Sequence, residues 1–595
     1  MTEPEASRAN TAPQQHEFRV WAPGKQSVDV VLGDRRVPLQ PRERGWWARH
    51  VDGAGPGSDY AFSVNGGPAR PDPRSAFQPE GIDGPSRVVD QAAFAWTDTG
   101  WRGLPLAGSV LYECHIGTFS AEGTFDGAIE HLGHLADLGV DAIELMPVAE
   151  FSGPRGWGYD GVDLFAPHHA YGGPDGLKRL VDAAHGHGLG VVMDVVYNHL
   201  GPAGDYLPEF GPYFSARHQT NWGPAINFDG PDSDEVRRFV IDNALMWLRD
   251  YHCDGLRLDA VHAIVDDSAT HILEELAKEV AALAAHAARP LFLVAESDLN
   301  DPVFVRSRDA HGYGLDAAWA DEWHHALHAA LTRDRDGYYA DFGPLPLLAK
   351  ALRQAWVYDG TYSPHRRRVF GRSPAGLAGS QFVVCTQNHD QVGNRALGER
   401  SSALTSDGRL RVAAALLLTS PFVPLLFQGE EWGAGTPFQY FTSHEDPGLG
   451  RAVSEGRRRE FSSFRWDPEK GEGGVPDPQD PATFERSRLD WAEPGKERHA
   501  SLLVWYRDLM ALRRRVPALT DPRLDRVQAE TGPDWVVVRR GPVTVAVNLG
   551  SANWTFPAGP DRKMLAASDP RIDLTKQGVV LPPDTVAIVS EPHEA

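Results

Sequence analysis

The chain has 595 residues, 42% of them hydrophobic and 23% charged, and its 58 Lys and Arg against 81 Asp and Glu give a formal net charge of −23. At roughly 150 residues per domain this allows two to four domains, and the balance excludes disorder over most of the chain. So acidic a surface repels phosphate, which argues against nucleic acid and anionic membranes as partners.

Residues 1–15 read as a disordered polar tail with no signal-peptide core. From 16 to 104 the pattern alternates with period two. Phe18, Val20 and Ala22 share one face, as do Val28, Val30 and Leu32, and Tyr60, Phe62 and Val64, with turns at Gly53–Gly57 and Gly66–Pro68 between the runs. Short alternating strands of this kind predict a small Ig-like β-sandwich. From 105 to 522 apolar runs alternate with amphipathic helices. The runs are Val110–Tyr112, Asp141–Leu145, Gly190–Val195, Gly255–Leu258, Leu291–Ala295, Ala317–Ala320, Phe382–Thr386 and Pro424–Phe427. Strands apolar on both faces belong to a buried parallel sheet, and eight of them with intervening helices predict an α/β fold, a closed (β/α)8 TIM barrel. Two long insertions are expected, His199–Pro231 after the third strand and Gly429–Pro494 after the eighth. Alternation returns over 523–595, at Trp535–Val538, Val543–Val547 and Val586–Ile588, predicting a small C-terminal β-domain.

Val412–Phe427 is broken by Thr419, Ser420, Pro421 and Pro424, too short and interrupted to span a bilayer. Cys114, Cys253 and Cys385 lie in or beside apolar runs and read as reduced, buried thiols, consistent with a cytoplasmic protein. No Cys/His spacing suggests zinc.

In a (β/α)8 barrel the chemistry sits at the C-terminal ends of the strands. There the sequence places Asp194 and Asn198-His199 (third), Arg257-Leu258-Asp259 and His262 (fourth), Glu296 (fifth) and His389-Asp390 (seventh). One such acid alone reads as a loop cap or a surface ion pair. Three acids from three strands, with an arginine and two histidines, are costly to gather without a chemical purpose. Paired carboxylates acting on a neutral substrate point to retaining glycoside hydrolysis. Arg257, two residues before Asp259 on a strand, points the same way and keeps it an anionic nucleophile. Glu296 ends a wholly apolar strand, where desolvation favours the protonated general acid. Asp390 would bind sugar hydroxyls, His199 and His389 would donate to the same ring, and Tyr159 would offer an aromatic platform.

Four segments (Asp194–His199, Gly255–His262, the strand ending at Glu296, and Phe382–Asp390) resemble the four signatures of the α-amylase superfamily, glycoside hydrolase family 13, in order and in barrel position. The resemblance covers about residues 16–595, and the first domain is similar to the glycogen-binding-type modules of branching and debranching enzymes. It implies Asp259 as nucleophile, Glu296 as acid/base and Asp390 as transition-state stabiliser. Arg257, His199, His389 and Tyr159 would then line the subsite of the attacked glucose, with Asp194 and Asn198 structural beneath it. Met146–Phe151 is shared with branching enzymes. Trp222–Pro231, Asp259–Ile264, Asp321–His328 and His444–Pro447 resemble the trehalohydrolases of this superfamily, which cleave the α-1,4 bond beside the terminal trehalose of a maltooligosyltrehalose. His262, where many α-amylases carry Lys, fits the same group. The implied partner is maltooligosyltrehalose or a related α-glucan. No cofactor and no metal are expected, since the loop after Asn198 is no evident calcium cage.

Glu322 and Trp323, after the sixth strand, are candidates for holding the trehalose end, against helix-capping and core readings. His324, His325 and His328 suggest a metal site or a hydrogen-bonded cleft wall. Trp46-Trp47 is sandwich core or a glucan-binding surface, Arg366–Arg368 reads as a solvated loop rather than a nucleic-acid patch, and Arg457–Arg459 as a solvated face or inter-loop salt bridges. Two other functions stay open: a branching enzyme using the same two steps with a 6-hydroxyl as acceptor, and a non-catalytic glucan-binding protein, which would be expected to have lost one of the three acids.

Overall fold

The computed structural model describes residues 15–461, 474–559 and 562–590; the expected tail at 1–14 lies outside them. Gln15, assigned above to that tail, already pairs with Asp52 in the first strand. The N-terminal part is two facing sheets. One joins Gln15–Trp21, Trp46–Asp52 and Gln40–Pro41; the other joins Arg35–Pro38, Val28–Leu32, Asp59–Val64, Ala69–Arg70 and Ser86–Arg87. Phe18, Val20, Val28, Val30, Tyr60 and Phe62 fill the space between them, as period-two alternation requires.

Eight parallel strands close the central barrel: β1 (Leu111–Cys114), β2 (Ala142–Leu145), β3 (Gly190–Val195), β4 (Gly255–Leu258), β5 (Phe292–Ala295), β6 (Ala317–Trp319), β7 (Phe382–Cys385) and β8 (Val423–Phe427), with β8 pairing back onto β1. All are buried. Leu111, Ala142, Val192, Val294, Ala317, Val383 and Leu425 pack the barrel interior, with Leu104 and Leu106 in the same cluster. The helices bury the stripes their spacing predicts: Leu177, Leu180, Val181 and Ala184 in Gly173–Gly186, and Ile272, Leu276 and Val280 in Ile272–Ala287.

The insertion after β3 carries a hairpin, Phe214–Thr220 with Gly223–Ile226. The insertion after β8 carries the helices Pro447–Phe461 and Pro481–Arg486. A third excursion, between β6 and β7, holds the helix Leu345–Gln354 and the hairpin Thr361–Ser363 with Arg368–Phe370, which the run pattern does not anticipate. At the C-terminus one sheet joins Val527–Thr531, Trp535–Arg540, Val543–Asn548, Thr585–Ser590 and Lys563–Ala567, and faces a smaller three-stranded sheet.

The N-terminal sheets are docked on the barrel. The Trp21 ring meets Tyr213 edge-on at 5.2 Å, and Arg70 pairs with Glu209 at 2.9 Å while lying over the Tyr206 ring at 4.1 Å. Trp46 Nε1 donates to Glu235 at 3.1 Å, and the Trp46 ring is covered by Arg19 and Arg74, so this indole is tied to a barrel helix. Tyr206, Glu209 and Tyr213 all belong to the insertion after β3. Among the described residues, no helix is long and apolar enough to cross a membrane.

Candidate active site

At the end of β4 the strand alternation puts Arg257 and Asp259 on one side. Arg257 is buried, and its Nη1 donates to both Asp194 oxygens at 2.9 Å and to Asp259 Oδ1 at 2.8 Å. Its Nη2 stands 3.7 Å from Glu296 Oε2. One guanidinium therefore touches carboxylates from β3, β4 and β5, and its face rests 4.4 Å above the ring of Trp319 from β6. The chain turns sharply after Asp259. Ala260 takes a left-handed conformation (φ 40°, ψ 51°), which aims its amide at Glu296 Oε2, 2.5 Å away. A non-glycine residue held there stores strain, a feature that gathers at functional sites.

Burial, reinforced by the charges of Asp259, Asp321 and Asp390 and opposed by Arg257, pushes Glu296 up to about 8. Asp194 is pushed to about 7 by burial, with Arg257 pulling the other way. Asn198 donates from Nδ2 to the Asp259 backbone carbonyl at 2.9 Å and to Asp259 Oδ2 at 2.8 Å. His199 lies between Asn198 Oδ1 (2.5 Å) and the Tyr159 carbonyl (3.1 Å), and Trp222, half exposed on the hairpin after β3, stacks on its ring at 5.2 Å.

His389 and Asp390 open a short helix after β7, capped by the Asn388 side chain accepting from the Gln391 amide. Asp390 Oδ1 is 3.6 Å from His389 Nε2. The Tyr159 hydroxyl donates to Asp194 at 2.7 Å and meets His389 Nε2 at 2.8 Å, so Tyr159 is also a polar tie rather than only a stacking platform. Gly158 before it has φ 99°, and a Cβ there would fall 2.0 Å from the Pro147 carbonyl oxygen, which is why this turn takes glycine. His262 is exposed on the turn Val261–Ala263 after β4.

The structure thus brings together Asp194, Asn198, His199, Arg257, Asp259, Glu296, His389, Asp390 and Tyr159. It does not bring Glu322 and Trp323 into the cleft. Glu322 is buried and accepts the amides of Val357 and Tyr358 at 2.7 and 2.8 Å, and Trp323 is fully buried. The physical reason is helical rotation: positions 321 and 325, one turn apart, share the cavity-facing side of the helix Asp321–Thr332, so 322 and 323 turn away. His324 bonds the Thr386 carbonyl (2.8 Å) and the Tyr339 hydroxyl (3.0 Å), so this histidine builds the wall.

Beside Asp390 lies a cavity of about 340 Å³ lined by Asp298, Asp321, His325, Tyr338, Arg366 and Asp390 among others. Arg366, read from sequence as solvated, lies over Phe370 at 3.9 Å and 3.3 Å from Asp298. Arg457 is buried, donating to the Gly393 carbonyl and pairing with Glu460 at 3.1 Å, and Arg458 stands 3.4 Å from Asp477. Sequence reading also missed Asp321, pushed to about 7 by burial and the charge of Asp390, and two acids inside the barrel, Glu113 on β1 and Glu144 on β2. The two barrel acids left a signal: Glu113 and Glu144 are each the one carboxylate of a strand, Leu111–Cys114 and Ala142–Leu145, that is otherwise without charge.

Among the described residues two groups could hold a metal ion, Glu150 with His168 and His169, and His218 with Asp229 and Asp267. In the first, both imidazole Nδ1 atoms already bond Glu150 Oε1, at 2.9 and 2.7 Å; in the second, Arg217 Nη2 sits 3.2 Å from each carboxylate.

The family model for the α-amylase catalytic domain matches residues 89–222, and a model described as a domain of unknown function matches 522–588. The malto-oligosyltrehalose trehalohydrolase of Arthrobacter ramosus is 54% identical over 89% of this chain and 92% of its own length. The chain belongs to the malto-oligosyltrehalose trehalohydrolase family. A second trehalohydrolase, from Rhizobium sp. (strain M-11), is 47% identical over 96% of this chain and 97% of its own. A crystal structure of a provisionally named alpha amylase from Salmonella typhimurium superposes with a TM-score of 0.88 at 39% identity, covering 98% of this chain and 99% of that one. The agreement extends over the trehalohydrolase-family chain as a whole, flanking β-domains included.

Proposed function

We propose that the protein is a retaining glycoside hydrolase that cleaves the α-1,4-glucosidic bond beside the terminal trehalose of a maltooligosyltrehalose, releasing trehalose and a shortened maltooligosaccharide. The observation that carries the reaction type is Arg257, whose one guanidinium contacts Asp259 at 2.8 Å and stands 3.7 Å from Glu296. Two carboxylates against one cation, one of them pushed to about 8 by burial, are an anion and an acid side by side. The names of the relatives supply the substrate class.

In this reading Asp259 attacks the anomeric carbon as Glu296 protonates the departing oxygen. Glu296, now a carboxylate, takes a proton from water, which attacks the glycosyl–Asp259 ester, and Asp259 leaves as a carboxylate. Asp390 and His389 hold the hydroxyls of the same ring as its anomeric carbon becomes positive. Asn198 fixes the nucleophile from behind. Polar groups of the cavity beside Asp390 would select the leaving sugar, because a group placed to pair one hydroxyl is left unpaired by an analogue lacking it.

The test is incubation with a maltooligosyltrehalose and, separately, with a plain maltooligosaccharide, products being read by chromatography. Free trehalose from the first, faster than any cleavage of the second, is expected. Equal cleavage of both, or new α-1,6 branches, would overturn the assignment.

A further inference from the structure

The barrel interior holds an acid that the reaction scheme above does not use. Glu113 projects from β1 and is buried. Its Oε2 accepts the backbone amide of His389 at 2.9 Å, and its Oε1 lies 2.5 Å from His389 Nδ1. On the other side of the ring, Nε2 is 2.8 Å from the Tyr159 hydroxyl, whose single proton is directed to Asp194 Oδ2 at 2.7 Å. A phenol has one proton to give, and with that proton on an ionised Asp194 its oxygen accepts from Nε2–H. A carboxylate that accepts the His389 amide on one oxygen accepts Nδ1–H on the other. Both ring nitrogens then carry protons.

We propose that Glu113 is a positioning residue of this site, clamping His389 by its amide and its Nδ1–H so that the ring stays an imidazolium with Nε2–H turned toward Tyr159 and Asp390. The inference rests on the hydrolase reading, since it concerns the subsite that reading assigns to the attacked sugar. The charges around His389 agree with it. Burial alone would discharge the ring, but Glu113 and Asp390 outweigh burial and raise it to about 9, against opposition from Arg257. Asp194 on β3 and Asp321 after β6 also feel the His389 charge, as does His115 after β1. Glu144, in register with Glu113 on β2, has no hydrogen-bond partner at either oxygen. Burial and the charges of Glu113 and Asp194 hold Glu144 well above the usual carboxylate range, so it adds no second anion beneath the clamp. Glu113 is thus the carboxylate that bonds the ring, Asp390 adds its charge from 3.6 Å, and the imidazolium reaches the cleft already charged and oriented.

The experiment is a double-mutant cycle of Glu113→Gln and His389→Gln. It is read as kcat/KM across pH 5–9 on whichever α-1,4-glucan the wild-type enzyme cleaves, with near-UV circular dichroism as the check of fold. Glu113→Gln is expected to cost about 10- to 100-fold near neutral pH, and the loss should deepen as pH rises past about 6.5, where an unclamped imidazole discharges. In the His389→Gln background the same change should cost under about 3-fold, because residues that act through one another are not additive. Glu113→Asp, which keeps the charge, should keep the wild-type pH profile at a lower rate, and it takes the place of the Gln variant in the cycle if that variant does not fold. Equal losses in both backgrounds, or a loss from Glu113→Gln of the same size at every pH, would overturn the proposal. The product pattern of the wild-type enzyme decides the trehalose reading independently.

Discussion

Asn198 holds Asp259 at two points, its side-chain amide donating to the backbone carbonyl at 2.9 Å and to the carboxylate at 2.8 Å. Arg257 holds the other carboxylate oxygen. Asp259 is therefore constrained in rotation as well as in position, and an attacking oxygen out of line by an ångström loses about two orders of magnitude in rate. Asn198→Ala should lower kcat about 100-fold with KM within about threefold of wild type, as steady-state kinetics will read. A KM effect alone would place Asn198 in substrate binding.

On the proposed mechanism Asp259→Asn should lower kcat by about 10⁴-fold or more, as removal of a catalytic nucleophile does. Glu296→Gln should do the same on natural glucans and far less on substrates whose leaving group needs no proton, such as a glucosyl fluoride. Rates on both substrate types give the check, and an equal deficit on the two would remove Glu296 from the acid role.

The pH profile follows from Glu296. In its proposed role as the acid, Glu296 must be protonated to act, and burial holds that proton up to about 8. Activity is present below that value and lost as pH rises through it. The alkaline limb of kcat/KM should turn near pH 8, and a turn near 5, at the ordinary glutamate range, would contradict the assignment.

Glu322→Ala tests the correction made by the structure. The Val357 and Tyr358 amides would lose their shared acceptor inside the protein, at a cost of roughly 2–4 kcal/mol. Thermal or chemical denaturation should show that loss, while KM of the folded fraction stays unchanged. A raised KM with undiminished stability would return Glu322 to the substrate.

Trp222 stands half exposed over His199 at the rim of the cleft. Trp222→Ala should raise KM several-fold with little effect on the melting temperature, because an indole stacked at an edge offers area to a sugar more than to the core. Comparison of short and long substrates reads the effect.

The barrel is legible in the sequence because its strands are buried on both faces, so Gly190–Val195 or Phe382–Cys385 stand out as apolar runs. The acids at the strand ends are legible for a related reason. Asp259, Glu296 and Asp390 interrupt or follow those runs where polarity has no structural excuse. What the linear pattern cannot carry is rotation and return. Glu322 and Trp323 sit one and two residues from Asp321, yet a helix turns them about 100° and about 200° from it. Arg366 reaches the cleft only because a hairpin more than forty residues past β6 folds back to it. Glu113 escapes for a subtler reason: an acid within a strand looks like a flaw until its partner, 276 positions away, is seen beside it.

The docking of the first sheets against the insertion after β3 bears on how small this catalyst can be made. Trp21 and Arg70 brace Tyr213, Tyr206 and Glu209, and the same insertion carries the Trp222 hairpin to the rim. Trimming the chain to its barrel would free one wall of the groove rather than shed an accessory. A miniaturised version would have to rebuild that brace before it could grip a glucan.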